Sequence, residues 1–254
     1  MKKRFSHAAA FISALTLAGT TAYAVSEYTA DDLKELSSAL LGETDFKDGQ
    51  DLTGDNVIDV YDLIKMRESF IAGTGEFSEQ VIGITDSNTK YIGRNIYDKD
   101  KITWLVQSGS AVEFKVNAKS AEITINGDGH TESDEKYRPR YAVIVDDEII
   151  LDELLSEKEK TVKLFEGNTA RNAVVKVIHL SEANNGAVGV SSIKVNSNAP
   201  VPVAPTAKKD LSIEFIGDSI TCAYGVEGAS QYEGFMTSTE NFMKSYAYLT
   251  AKQL

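Results

Sequence analysis

A serine follows a glycine turn at the end of a short apolar run in residues 211–225, which read LSIEFIGDSITCAYG. Such a run predicts a buried strand that leads into a loop, and in α/β sheets ligands bind at the loops that follow the strands. A serine hydroxyl placed there can act as a nucleophile, so Ser219 is a candidate catalytic residue. The alternative is a serine that only caps the next turn.

The longer string IEFIGDSITCAYG resembles the first sequence block of the SGNH (GDSL-type) hydrolases, and more narrowly that of carbohydrate esterase family 2. The resemblance implies that Ser219 attacks an ester carbonyl while a histidine far downstream accepts its proton. It also implies that the backbone N–H of Ser219, with a downstream glycine and asparagine, holds the oxyanion. The implied activity is the removal of acetyl groups from plant cell-wall polysaccharide such as xylan.

Two histidines and one cysteine of the mature chain could take part in catalysis with Ser219. His130 lies in a charged loop and His179 lies in a strand pattern, so both are expected to be structural. Cys222 is the only cysteine, and we expect it to be a small buried hydrophobe rather than a nucleophile. A single cysteine also excludes an internal disulfide, so stability must come from packed cores and bound ions.

A second chemical pattern lies in residues 51–62, which read DLTGDNVIDVYD. In an EF-hand loop, positions 1, 3, 5, 9 and 12 direct their side chains inward and position 7 offers its carbonyl. Asn56 stands at position 6, where the usual glycine adopts a left-handed turn that asparagine also tolerates. We therefore expect one structural Ca²⁺, against the alternative of an acidic surface loop. The expected ligands are Asp51, Thr53, Asp55, Val57 through its carbonyl, Asp59 and Asp62.

This loop precedes the second of two similar helix patterns. DLKEL at 32–36 and DLIKM at 62–66 each lead through helical spacing to a glycine, Gly42 and Gly73, that is expected to end the helix. Thr29 with Asp32 suggests a capping box for the first helix.

The repeat of loop and helix over residues 25–75 resembles a type I dockerin, which implies docking onto a cohesin domain of a scaffold protein. Val60 and Tyr61 would occupy the recognition positions of the second repeat. The first copy has no calcium loop, since only Glu27 and Asp31 precede its helix with Asp32.

Short β-rich runs separated by Gly, Asn and Asp turns fill residues 79–196 and predict a β-sandwich. We expect Trp104 in the core between two sheets, and the alternative is a platform for a sugar ring. The strings GR at 93–94, SGS at 108–110, YAV at 141–143, LSEA at 180–183 and SSIKV at 191–195 resemble the N-terminal jelly-roll domain of the same esterase family. Strands are predicted at 103–106, 111–116, 122–125, 141–145, 161–165, 173–180 and 188–195.

Three of the four prolines fall in NAPVPVAPTA, within a stretch at 197–209 that we predict to be a stiff extended linker. It would join the sandwich to residues 210–254, interpreted as the first strand and first helix of an α/β SGNH hydrolase domain. Phe242, Tyr246 and Leu249 fall at helical spacing within 241–254, and that helix is expected to pack on the hydrolase sheet. Because the other blocks of that family are absent, we expect a truncated and inactive copy of a longer enzyme.

The N-terminus and the overall charge indicate where the protein works. Lys2, Lys3 and Arg4 followed by an apolar stretch and small residues predict a cleaved signal peptide at 1–24, the alternative being a membrane anchor too short to span well. We expect a secreted, extracellular, cellulosome-associated protein with no membrane partner after cleavage. The net charge of -12 argues against nucleic acid. The competing function is a non-catalytic, calcium-dependent protein that binds polysaccharide or a scaffold.

Overall fold

The computed structural model describes residues 28, 30–74 and 77–253 of the chain. The chain divides into two compact units, residues 1–76 and residues 77–254. The predicted signal peptide, Thr29 of the capping box and Glu27 lie outside the described residues. Within the described ranges, every helix is too short or too polar to traverse a bilayer.

The first unit is a pair of helices, as the repeat predicts. Helix α1 spans Ala30–Leu40 and helix α2 spans Val60–Thr74. Leu36 of α1 and Met66 of α2 are buried. Gly42 adopts a left-handed φ of 76° just after α1, whereas α2 continues one residue past Gly73, so the prediction that a glycine ends each helix is wrong for the second.

The second unit is an antiparallel β domain, which confirms the predicted all-β sandwich class. Two of its strands are long: β5 has 17 residues and β8 has 21. The ten strands are β1 (Ser78–Gly83), β2 (Lys90–Ile92), β3 (Asn95–Tyr97), β4 (Thr103–Leu105), β5 (Ala111–Gly127), β6 (Arg140–Val145), β7 (Glu148–Leu154), β8 (Glu159–His179), β9 (Val188–Ser197) and β10 (Val203–Pro205).

The long strands β5 and β8 contribute to both layers of the sandwich. The hydrogen-bonded order of the strands is β3-β4-β9-β5-β8-β6-β7. β5 pairs with β8 along one edge. Along its other edge, residues 111–116 pair with β2 and β10, and residues 120–127 pair with β9. Register shifts between Ala118 and Ser120 and between Ala121 and Glu122 lie where one half gives way to the other. Such irregularities bend a strand, and they allow one strand to serve two layers.

The strand β6 is buried on both faces. Tyr141, Val143 and Val145 belong to the main core cluster, whereas Ala142 and Ile144 belong to a second cluster. Alternate residues of a strand point to opposite faces, so this layer is buried on its outer face as well. The C-terminal segment covers that outer face through Met243 and Phe242.

Three details of the predicted β domain are wrong. The runs predicted as separate strands at 111–116 and 122–125 form β5, and those at 161–165 and 173–180 form β8. The predicted linker contains β10, whose residues pair with β5 and extend the sheet.

Trp104 does not lie between the layers. Thr103 and Leu105, on either side of it in β4, are buried, so the indole points to the outer face, where it packs over Gly189. Its N–H donates to Asp98 at 2.7 Å and lowers the pKa of that carboxyl. A polar partner for the indole nitrogen makes this half-exposed position stable.

The predicted hydrolase strand is absent. Residues 211–217 form no strand, and Ile216 is 89% exposed. An isolated strand needs a neighbour to satisfy its backbone N–H and C=O groups, and no described strand pairs with this segment.

The predicted C-terminal helix is helix α3, Tyr246–Gln253, and a 3₁₀ turn at Phe242–Lys244 precedes it. Extended backbone at Ser245 separates the two and changes which face is buried. Met243 and Ala247 are buried, and α3 packs on the outer face of the β domain, not on a hydrolase sheet. Tyr246 and Leu249, predicted to face a sheet, are exposed.

Candidate functional site

Ser219 lies in an exposed, tight turn over residues 218–227. The Ser219 carbonyl accepts a hydrogen bond from the Tyr224 amide at 2.9 Å, and the Asp218 carbonyl accepts one from the Thr221 amide at 2.9 Å. A Cβ added at Gly217 would overlap the Thr221 side chain, so this tight turn favours glycine there. The hydroxyl of Ser219 is thereby held at the surface, at the start of the turn.

Both histidines of the described residues have contacts away from Ser219. His179 is fully buried in β8, where its Nε2 lies 3.2 Å from the Ser181 hydroxyl, and burial lowers its pKa to about 4. His130 lies in a 3₁₀ turn, with Nδ1 3.4 Å from the Asp128 carboxylate. No hydrogen bond within the described part of the chain joins either ring to Ser219. The full burial of His179 fits the structural role expected for it, and the structural role of His130 stays a prediction.

Cys222 contacts two glutamates beneath the turn, of which one is buried. Its Sγ lies 3.1 Å from the Ser219 carbonyl oxygen and 3.3 Å from Glu182 Oε1, and its one hydrogen can donate to either acceptor. Ligand atoms of Glu182, Cys222 and Glu240 all lie within 4.8 Å of one another. Burial, with the neighbouring Glu182 carboxylate, raises the pKa of the thiol to about 12. Cys222 is therefore a half-buried, hydrogen-bonded thiol and not only the small buried hydrophobe predicted from the sequence, and the raised pKa disfavours the thiolate that a cysteine nucleophile requires.

Glu240 is the buried member of this cluster. Its side chain is fully buried, and Oε2 accepts the Glu182 amide at 3.0 Å. Oε1 is buried and has no hydrogen-bond partner among the described residues. Burial raises the pKa of Glu240 to about 7, and the Glu182 charge adds to the rise. A protonated carboxyl has a hydrogen to donate, which a carboxylate lacks.

Arg140 attaches the segment that contains Ser219 to the β domain. Its Nε and Nη2 donate to both carboxylate oxygens of Asp152 on β7, at 2.7 and 2.9 Å. Its Nη1 lies 2.6 Å from Glu227 Oε2, 2.8 Å from the Ser238 carbonyl and 3.0 Å from the Glu240 carbonyl. The side chain is only 12% exposed. A planar guanidinium with five donors can fix two chain segments relative to each other in a way that lysine cannot.

Further contacts fix both ends of the segment. The Phe242 ring lies against Gly109, where an added Cβ would overlap the ring. The Tyr246 hydroxyl lies 2.9 Å from the Thr221 hydroxyl, and its ring meets Phe215 edge to face. The start of α3 is therefore in direct contact with the turn that bears Ser219.

Sequence reasoning missed Arg140, Glu227 and Glu240. The sequence gives one indication of Arg140, which directly precedes the five apolar residues 141–145. A charged side chain beside a strand that is buried on both faces needs a partner of opposite charge or a hydrogen-bond acceptor. The sequence could not identify that partner, since Glu227 lies 87 residues away.

The acidic loop of the first unit folds around its own carboxylates. Asp51 accepts the amides of Gly54 and Asn56, at 2.7 and 2.9 Å. Asn56 has a φ of 66°, the left-handed turn expected at position 6 of the loop.

Asp62 closes the loop from the start of α2. It is buried and accepts the amides of Leu52, Thr53 and Asp59 at 2.7 to 2.9 Å. Burial acts to raise the pKa of this carboxyl, but these amide hydrogen bonds outweigh it and lower the pKa. The oxygens of Asp51 and Asp62 thus accept backbone amides, and no three of the loop's carboxylates form a set with ligand atoms within 4.8 Å. One Ca²⁺ at this loop stays a prediction.

Comparison with known proteins concerns mainly the β domain. Residues 91–205 match the family model described as carbohydrate esterase 2 N-terminal. This match confirms the predicted resemblance of the β domain to that family, and it ends at the last residue of β10. The matched residues therefore include β10, within the stretch predicted to be a linker.

Three relatives extend the similarity. The cellulase/esterase CelE of Acetivibrio thermocellus is 33% identical over 158 residues, which is 61% of this chain and 17% of that protein. A family two carbohydrate esterase from Clostridium thermocellum, solved with cellohexaose, is 30% identical with a TM-score of 0.53, over 65% of this chain and 48% of that one. An acetyl xylan esterase from Butyrivibrio proteoclasticus shares the fold at 21% identity, with a TM-score of 0.58, over 70% of this chain and 46% of that one.

The relatives are carbohydrate esterases, and the chain spans about half the length of the two solved structures. The similarity extends beyond the family-model match, because 158 aligned residues exceed the length of residues 91–205.

Proposed function

We propose that this chain is part of a secreted carbohydrate esterase of family 2 that removes acetyl groups from plant cell-wall polysaccharide such as xylan. One observation carries the proposal: the segment with Gly217, Asp218 and Ser219 packs directly on the domain that matches carbohydrate esterase 2 N-terminal. A relative with 30% identity was solved with cellohexaose, which supports a polysaccharide as the substrate.

The proposed reaction begins with attack of the Ser219 oxygen on the acetyl carbonyl carbon. The bond from that carbon to the sugar oxygen then breaks, the sugar leaves as its hydroxyl with the proton from Ser219, and water hydrolyses the acetyl-enzyme to acetate and free Ser219. Ser219 is exposed and its turn is held from below by Cys222, so an ester can approach the hydroxyl from solvent. The proton of the hydroxyl needs a base, and none of the described residues supplies one. By resemblance, that base is a histidine downstream of residue 254.

Activity should depend on Ser219 only where a base is present. A protein in which residues 1–254 continue into a complete hydrolase domain is expected to release acetate from acetylated xylan. Ser219→Ala should lower that rate by about 10⁴-fold or more, since loss of a nucleophile removes the function of the whole catalytic set. The 254-residue chain should be no faster than its own Ser219→Ala variant.

Ser230→Ala, in an exposed loop of the same segment, serves as the matched control and should leave the rate unchanged. Hydrolysis by the 254-residue chain that is lost in Ser219→Ala would contradict the proposal, because it would require a base among the described residues.

The proposed cofactor is one structural Ca²⁺ bound by the loop at 51–62. Asp51, Asp55, Asp59 and Asp62 provide carboxylates there, with the Thr53 hydroxyl and the Val57 carbonyl as further oxygen ligands. The left-handed turn at Asn56 and the amide contacts of Asp51 and Asp62 support this assignment.

Calcium titration of the full chain should give one site by calorimetry and a gain in helical signal by circular dichroism. Asp51→Asn should weaken binding by about 100-fold, because it removes a charged ligand from the first position of the loop. Asp48→Asn, at an exposed position outside the loop, is the control and should bind as the parent does. A stoichiometry of zero or two would refute the assignment.

We further propose that this module tethers the enzyme to a cohesin domain of a cellulosome-type scaffold. Val60 and Tyr61, in the first turn of α2, are both exposed, which supports their availability to a partner. The absence of a calcium loop before α1 distinguishes this module from the two-loop pattern of its family.

The second candidate is a non-catalytic protein that binds polysaccharide or a scaffold in a calcium-dependent manner. One observation favours it: the buried His179 and the Asp128-bound His130 leave Ser219 without a base among the described residues. The Ser219→Ala experiment separates the two functions, since only the esterase loses activity.

A further inference from the structure

Three side chains that can bind a metal ion converge beneath the turn that bears Ser219. Glu182 directly precedes the 3₁₀ turn Ala183–Asn185 of the β domain, whereas Cys222 and Glu240 belong to the C-terminal segment. One ligand atom from each of the three lies within 4.8 Å of the other two. Among the described residues, no other three His, Cys, Asp or Glu side chains bring their ligand atoms so close together.

Glu240 offers this cluster an oxygen that the protein does not satisfy. The side chain is fully buried, and only its Oε2 is used, as the acceptor of the Glu182 amide. Its Oε1 is buried without a hydrogen-bond partner among the described residues. Buried polar atoms normally have a partner, so this oxygen indicates a ligand that the chain itself does not supply.

The charges of the cluster favour a cation as that ligand. Among the ion pairs of the described residues, none includes Glu182 or Glu240. The Arg140 guanidinium donates to the Glu240 backbone carbonyl, but its ion pairs are with two other carboxylates. Burial, with the neighbouring Glu182 carboxylate, raises the pKa of both Glu240 and the Cys222 thiol, so without a metal these two groups hold protons.

We propose that Glu182, Cys222 and Glu240 bind one thiophilic divalent metal ion of the class of Zn²⁺. Bonds of about 2.0–2.3 Å from Zn²⁺ to oxygen and sulfur place tetrahedral ligand atoms about 3.3–3.8 Å apart. Cys222 Sγ already lies 3.3 Å from Glu182 Oε1, and small side-chain movements bring the third ligand atom into the same range. The ion displaces the protons of the cluster, because metal ligands must be deprotonated.

The type of ligand selects the metal, and the position of the site defines its role. Sulfur among the ligands favours Zn²⁺ or a similar ion over Ca²⁺ and Mg²⁺, which prefer oxygen. Glu182 and Cys222 are both half-buried, so an ion can enter from solvent, and the fourth tetrahedral position is left for water. The bound ion joins the turn of Ser219 to the β domain.

Metal binding is tested on the full chain by calorimetry with Zn²⁺, after EDTA treatment and removal of the EDTA. Saturating Ca²⁺ is present, so that the carboxylates of the loop at 51–62 do not take up Zn²⁺. One equivalent of Zn²⁺ should bind. The urea midpoint of the second unit, followed by Trp104 fluorescence, should rise with Zn²⁺, because an ion that binds only the folded state stabilises it. Absence of Zn²⁺ uptake would overturn the proposal.

Co²⁺ in place of Zn²⁺ identifies the ligands. A bond from Co²⁺ to a thiolate gives a charge-transfer band in the near ultraviolet, and Cys222→Ser should abolish that band. Glu240→Gln keeps the shape of the side chain but removes its charge. It should weaken Zn²⁺ binding by about 100-fold or more, since even an outer-shell partner of a metal is typically worth 10- to 100-fold.

His130→Asn is the matched control for adventitious binding. His130 Nδ1 lies 3.4 Å from the Asp128 carboxylate, and this partly exposed pair is the other place where Zn²⁺ finds an imidazole and a carboxylate together. The control should bind Zn²⁺ as the parent does. Binding that His130→Asn abolishes, or a Co²⁺ band that survives in Cys222→Ser, would contradict the assignment.

The emission of Trp104 reports whether the second unit of each variant is folded. If Glu240→Gln does not fold, the Co²⁺ spectrum of Cys222→Ser decides, because serine fills nearly the same volume as cysteine. None of these measurements needs catalysis, so their failure leaves Ser219-dependent hydrolysis intact, and failure of hydrolysis leaves the metal site intact. In EDTA the carboxyl of Glu240 and the thiol of Cys222 bind protons instead.

Discussion

Replacement of Arg140 by methionine is expected to lower the free energy of unfolding of the second unit by about 3 kcal/mol. The guanidinium is 12% exposed and donates to Asp152, to Glu227 and to two backbone carbonyls. Methionine fills a similar volume but leaves these acceptors without a donor, and removal of one partner of a buried pair is far more costly than its surface equivalent. Urea unfolding followed by the fluorescence of Trp104, the only tryptophan, measures this unit.

Arg94→Met is the matched control, because the Arg94 side chain is 75% exposed and lies 4.0 Å from an equally exposed Glu214. Such pairs are typically worth about 0–1 kcal/mol. Hydrogen–deuterium exchange should also quicken at residues 218–227 in Arg140→Met and not in the control. Unchanged exchange there would show that Arg140 does not hold the turn of Ser219, whatever its effect on overall stability.

The features predictable from the sequence are those that short-range patterns determine. The run at 141–145 is uniformly apolar, and β6 is indeed buried on both faces. The two helices of the first unit follow from helical spacing, and a left-handed Asn56 follows from its place in the loop. In each case the side chains of adjacent residues carry the necessary information.

The continuity of β5 and β8 could not be predicted in this way. The polar stretches near Asn117 and Asn172 read as turns between separate strands, because asparagine favours turns. In the structure these two residues face each other across the ladder, and Asn117 Nδ2 donates to Asn172 Oδ1 at 2.8 Å. The side-chain amide of each asparagine is therefore satisfied by a partner 55 residues away, whereas a turn would expose it to water.

The strand predicted at 211–216 fails for the opposite reason. Its apolar composition is suited to a sheet, but a strand exists only with a neighbour that accepts and donates its backbone hydrogen bonds. The contacts that hold Ser219 come instead from side chains, chiefly those of Arg140, Glu182 and Phe242.

The second large effect concerns pH and Glu240. Glu240→Gln is expected to leave the stability of the second unit unchanged near pH 4.5 and to raise it by up to about 3 kcal/mol at pH 8. Burial raises the pKa of this carboxyl to about 7 from an ordinary value of 4.5. A carboxyl with a raised folded-state pKa stabilises the fold below its unfolded pKa, and that contribution is lost as the pH rises from 4.5 through 7.

The wild-type chain should hide this loss, because His179 titrates in the opposite sense. Burial lowers the pKa of His179 to about 4 from 6.5, so the unfolded chain takes up its proton first and stability rises from pH 4 to 6.5. The two contributions cover nearly the same range, and the free energy of unfolding should be almost flat there. In Glu240→Gln only the histidine contribution remains, and stability should climb with pH.

Glutamine suits the site chemically because its amide oxygen can still accept the Glu182 amide, while its nitrogen offers hydrogens where Glu240 Oε1 has no partner. Urea unfolding at half-unit steps from pH 4 to 8 measures the difference between the two proteins. Glu233→Gln, an exposed glutamate of the same segment, is the control and should follow the wild type. A constant difference between Glu240→Gln and wild type across this range would mean that the pKa of Glu240 is the same in the folded and the unfolded chain. The buried carboxylate would then need a cationic partner, which Arg140, bound to Asp152 and Glu227, does not provide.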